Sequence, residues 1–101
     1  MVREEWEIVW TQRAQRHLRQ IFDYISADSP KNASKVINDI IDAANKSVSN
    51  PEIYARDKYR RDNDGSYLAF EKNHYRISYK AEKNVIRILW VRHTGRKPKF
   101  Y

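Results

Sequence analysis

A chain of 101 residues is the size of one domain, and with 41% hydrophobic residues it can bury one modest core but not two. Lysine and arginine number 20 against 13 aspartates and glutamates, a formal charge of +7, so a polyanionic or acidic partner is expected. Cysteine is absent, which excludes disulfides, thiol nucleophiles and cysteine-held zinc or iron–sulfur centres and suits a reducing cytoplasm.

Arg3, Glu4, Glu5 and Glu7 interrupt the opening segment before any apolar run develops, so no secretory signal is expected. No apolar stretch approaches the roughly 20 residues of a membrane span. Residues 6–10 alternate as a strand, with Trp6, Ile8 and Trp10 on one face. Thr11 reads as an N-cap. Beyond it Ala14, Leu18, Ile21, Phe22 and Ile25 recur at steps of three and four, while Arg13, Arg16, Arg19 and Asp23 fill the other positions. That is an amphipathic helix running to about Ala27.

Ser29-Pro30 starts a second helix, because serine accepts from orphan backbone N–H groups and proline lacks the N–H that would be unsatisfied at the first position. Its apolar set is Ala33, Val36, Ile37, Ile40, Ile41, Ala44 and Val48, and it ends at Asn50-Pro51. So short a connection predicts an antiparallel helical hairpin. Residues 52–66 are polar, with a turn signal at Asn63-Asp64-Gly65.

The pattern then changes to period two. Residues 67–71 and 75–80 are predicted strands, the second with Tyr75, Ile77 and Tyr79 facing one way and Arg76, Ser78 and Lys80 the other. Residues 85–92 are apolar at most positions on both faces, as in an interior strand. The fold class is therefore α+β: an N-terminal strand, a helical hairpin and an antiparallel β-meander, in a single two-layer domain over 1–101. The sheet face opposite the helices is expected to be open and basic.

After Glu82 no acidic residue occurs, and Lys83, Arg87, Arg92, Arg96, Lys97 and Lys99 follow with His93. If the tail at 93–101 folds back over the open face, Arg76, His93, Arg96 and Tyr101 come together. They would offer a cationic clamp for phosphate, a group titrating near neutrality and a phenol that stacks or moves a proton. RNA is cut without metal by activating its own 2′-hydroxyl, which asks only for positioning, charge neutralisation and proton transfer. The competing reading is a basic surface that a partner covers, with His93 merely satisfying backbone at a strand end. Lys80, Arg92, Lys97 and Lys99 are candidate contacts to nucleic acid or partner in either case. His17 and His74 read as structural or solvated, and of the many aromatics Tyr59, Tyr67 and Tyr101 are those available to a ligand. No Gly-rich phosphate loop or HExxH-type spacing occurs, so no cofactor and no metal is expected.

Trp10-Thr11-x-x-Ala14, Leu18, Ile21, Tyr24-Ile25, Ser29-Pro30, Ala33 and Pro51 together resemble the hairpin pattern of ParE-type toxins. His74-Tyr75-Arg76-Ile77-Ser78-Tyr79 and Val91-Arg92-His93-Thr94-Gly95-Arg96-Lys97-Pro98 are similar to the sheet and C-terminal pattern of the wider RelE/ParE superfamily. The resemblance implies a microbial-RNase-like fold and a growth-inhibiting toxin of a type II toxin-antitoxin system, cytoplasmic and neutralised by a cognate antitoxin. RelE-type members cleave mRNA on the ribosome, whereas ParE-type members poison DNA gyrase and are not known as nucleases. Arg76 matches the strand arginine of RelE-type sites, Arg96 the arginine after the last strand, and Tyr101 the terminal tyrosine with a one-residue offset. The uninterrupted hairpin tips the reading toward gyrase, with mRNA cleavage as the alternative. The antitoxin is expected to be acidic and to lie across the sheet or hairpin, covering Arg76 and the tail.

Overall fold

The computed structural model describes residues 6–50 and 53–95. Along the chain lie β1 (Glu7–Trp10), α1 (Gln12–Ser26), α2 (Pro30–Ser49), β2 (Ala55–Arg56), β3 (Tyr67–Lys72), β4 (Tyr75–Glu82) and β5 (Val85–His93). They form one five-stranded sheet in the order β1-β5-β4-β3-β2, with the helices on one face.

Both helices begin where the sequence places their caps. Thr11 Oγ1 accepts from Ala14 N–H at 3.2 Å and donates to Ile88 O at 2.8 Å, so one hydroxyl caps α1 and ties it to the sheet. Ser29 Oγ caps α2 through Asn32 N–H at 3.1 Å, with Pro30 at its first position. Between them, the N–H groups of Asp28 and Ser29 both bond to Ile25 O.

The meander is as expected, with β3, β4 and β5 successively antiparallel. Each hairpin closes through two residues of positive φ, Asn73 (51°) with His74 (68°) and Lys83 (53°) with Asn84 (62°). Two such residues match the twist of antiparallel strands. The first strand pairs with β5 in parallel, Glu7 to Trp10 against Val85 to Ile88, so the sheet is mixed. The polar segment before Ser66 holds a short strand that its sequence does not announce: Ala55 and Arg56 pair antiparallel with Ala69 and Leu68.

The core lies between sheet and hairpin. Ile40, Ala43 and Ala44 of α2 and Ala14 of α1 meet Leu68, Phe70, Ile77, Tyr79, Ile86 and Ile88. Small residues at the helical positions let the helices sit close to the sheet. Tyr54 seals one end: its ring stacks on Phe70 at 4.4 Å and its hydroxyl donates to Ala43 O at 2.8 Å. Burial pushes the Tyr54 phenol up, and the fully enclosed Tyr79 phenol is pushed up further, by burial and then by Tyr54 beside it.

Candidate functional site

Strand alternation and register decide which site residues meet. On β4, Ile77 and Tyr79 point into the core, so Arg76, Ser78 and Lys80 point outward. Cross-strand partners share a face: Arg76 lies opposite Glu71 and Arg92, Ser78 opposite Ala69 and Trp90, and Lys80 opposite Tyr67 and Arg87. His93 lies opposite Tyr75, on the helix side. Arg76 and His93 therefore stand on opposite faces, and the expected gathering of the two over one face does not occur. Arg96, Lys97, Lys99 and Tyr101 lie outside the described residues.

Arg76 is engaged by a partner that the sequence reading passed over. Its Nη2 lies 2.9 Å from Asp57 Oδ1, and the Asp57 side chain is wholly buried. The same oxygen accepts from Tyr59 N–H at 3.1 Å, while Asp57 O takes Arg60 N–H at 3.2 Å. Asn63 continues the scaffold, donating to Asp57 O and Tyr67 O and accepting from Gly65 and Tyr67 N–H. Side-chain bonds thus replace backbone pairing across the segment between β2 and β3 and fold it against the outward face. Arg76 also reaches Glu71 at 3.7 Å and lies 4.8 Å from the Tyr59 ring centroid, while its Nε is buried without a partner. A guanidinium so held is fixed in place by a buried carboxylate, and deleting either member strands a charge. Asp57 shows no sequence signal beyond its place in a polar stretch, because only tertiary packing buries it.

The second region lies at the far end of β5. Since β1 ends opposite Ile88, β5 runs on without a strand on that side, and α1 takes its place. Val91 N–H donates to His17 Nδ1 at 3.1 Å, so of the two readings its sequence context leaves open, structural or solvated, His17 takes the structural one. Trp90 sits against the His17 ring at 5.7 Å, with the Arg13 and Arg92 guanidiniums 4.2 and 4.1 Å from its centroid. Gln20, Ile21 and Tyr24 of α1, with Tyr75, Arg92 and His93 opposite, line a groove of about 600 Å³. Tyr24 is 81% exposed at its mouth. His93 is exposed, packs edge-on against Tyr75 at 5.2 Å and accepts Gly95 N–H on Nδ1 at 2.9 Å.

Lys80 lies on the outward face, 5.2 Å from the Tyr67 ring and 3.5 Å from Glu82. Among the described residues, no helix is long and apolar enough to cross a membrane.

Comparison with known proteins agrees with this architecture. No curated protein matches the chain. Among solved structures, a chain of the chromosomal ParDE toxin-antitoxin system from P. aeruginosa superposes with a TM-score of 0.72 at 19% identity, over 92% of this chain and all of that one. The model of the ParE toxin of the type II toxin-antitoxin system, parDE, matches residues 8–98. With the match running from β1 past the end of β5, the chain belongs to the ParE toxin family of type II toxin-antitoxin systems.

Proposed function

We propose that this ParE-family toxin acts by binding its target, DNA gyrase, in the cytoplasm, and not by cutting RNA. The observation that carries this reading is the separation of Arg76 from His93. The strand arginine is committed to buried Asp57 on one face, and the histidine stands at a strand end on the other. A metal-free nuclease needs its phosphate clamp and its proton-transfer group within reach of the same phosphodiester. This arrangement opposes them across the thickness of a sheet. The uninterrupted α1–α2 hairpin, the mark of the ParE branch in the sequence, supports the same reading.

The toxin is held inactive by an acidic antitoxin, a segment of which occupies the groove between α1 and the end of β5. The groove joins an apolar floor to Arg92 at its rim, and Arg16 and Arg19 stand exposed on the adjoining helix. The decisive experiment is a gyrase supercoiling assay with the purified chain. Supercoiling falls as toxin is added and recovers when antitoxin is supplied; unchanged supercoiling at excess toxin contradicts the reading.

A further inference from the structure

The outward face of the sheet carries a pattern that the proposed function leaves unassigned. Three aromatic rings lie on or beside it, and each is approached by two cations. Arg60 and Lys80 lie 4.1 and 5.2 Å from the Tyr67 centroid. Lys58 and Arg76 lie 5.2 and 4.8 Å from Tyr59. The Trp90 ring takes Arg13 and Arg92, as described above. Register places Tyr67 on β3 and Trp90 on β5 with β4 between them, roughly 10 Å apart across the strands. Lys80, between them, has Arg87 as its other neighbour on this face.

Asp57 and Glu71 form ion pairs with Arg76 and Glu82 with Lys80, and Asp64 lies near enough to Lys80 for the lysine to help hold its carboxyl below the usual range, after its bonds from Ser66. The remaining charge is positive and is distributed among flat π-surfaces.

From this we infer that the outward sheet face binds single-stranded nucleic acid. Phosphates meet the cations, and bases stack on the rings and on the guanidinium planes laid against them. A carboxylate-bearing peptide would satisfy the charge but has no use for three stacking platforms. A duplex keeps its bases inside, whereas the rings and guanidiniums of this face call for bases that are unpaired and open to stacking. The inference is independent of gyrase: a chain inert toward that enzyme would still bind strands.

Fluorescence anisotropy with the full chain and labelled 12-mers of oligo-dT and oligo-rU, beside a DNA duplex of equal length, tests it. Binding to a single strand is expected with a Kd on the order of 1 to 100 µM at physiological salt, tighter than to the duplex. Log affinity should fall against log salt by about 0.7 per phosphate contacted. Tyr67→Leu should weaken binding roughly 5- to 100-fold by removing a stacking surface. Arg60→Gln and Lys80→Gln should each lower the salt slope by about 0.7. Lys31→Gln and Lys46→Gln, in the helical layer, should change neither, and a thermal melt of each variant confirms folding. A stronger response in the rU arm assigns part of the affinity to the 2′-hydroxyl; equal arms assign it to phosphate and base, and both agree with the proposal. No binding to either strand, an equal or tighter duplex, or equal losses from the helical-layer variants would overturn it. Poly-L-glutamate bound as tightly, with the same loss in Tyr67→Leu, would replace nucleic acid with an acidic polypeptide.

Discussion

Arg76 and His93 sit on neighbouring strands one register step apart, yet they occupy opposite kinds of environment. Arg76 lies on the outward face beside the segment between β2 and β3, where Asp57 and Tyr59 of that segment and Glu71 of β3 hold it. His93 ends a strand that has no neighbouring strand on its β1 side, exposed beside a groove, with the Tyr75 ring and the Gly95 N–H as side-chain contacts. A conspicuous arginine in an apolar strand therefore belongs to the framework, and the histidine that looks like a strand-end residue stands at the more open surface. A charged side chain's role follows from what its fold has already committed it to.

The contrast is sharpest in stability. Asp57→Ala should cost about 3–5 kcal/mol in urea denaturation, because it strands Arg76 and removes the acceptor that shapes the loop. Arg76→Ala should cost a similar amount, and the double variant should cost clearly less than the sum of the two. Strict additivity would show that the pair is not coupled. It follows that loss of toxicity in an Arg76 variant is evidence about the active surface only where the variant's melting temperature is known.

An intermediate effect is expected from His17→Ala, which leaves the Val91 N–H without its acceptor and loosens α1 from the free edge of β5. About 1–3 kcal/mol is the ordinary cost of such a group. At the open end, His93→Ala should change stability by no more than about 0.5 kcal/mol. A larger loss would mean that the groove is built, not merely bordered, by this residue.

The smallest effect concerns acid. Asp39 Oδ2 accepts from Lys35 Nζ at 2.8 Å and from Asn73 Nδ2 at 2.9 Å, tying α2 to the turn between β3 and β4. These bonds, that to Lys35 foremost, hold its carboxyl below the usual value of 3.8. Because the folded value is the lower one, the stabilisation is complete above the unfolded value and fades as pH falls through the folded one. In Asp39→Asn, stability should decline less steeply than in the parent over that acid range. Identical profiles would assign the acid sensitivity elsewhere.

Much of the fold was legible because its signals are local. Thr11 and Ser29-Pro30 mark helix starts through bonds made within three residues, and the alternation of Tyr75, Ile77 and Tyr79 is a property of one strand. What the sequence withheld is non-local. The parallel pairing of β1 with β5 joins residues some 80 positions apart, and β2 is two residues long. The site was harder for the same reason. Arg76 and His93 looked like companions because a tail starting at His93 was expected to fold back over the face that carries Arg76, and only the register of β4 on β5 assigns them to different faces. Asp57 looked like one more loop acid. Tyr59 and Tyr67, singled out as available aromatics, proved to carry the cations of the outward face.

The central claim, that this toxin binds and does not cut, meets its most direct test in a gyrase supercoiling assay run beside primer extension on translated messages. Supercoiling should fall with added toxin while the messages stay whole. Untouched supercoiling together with codon-linked cuts that vanish in His93→Ala would contradict it.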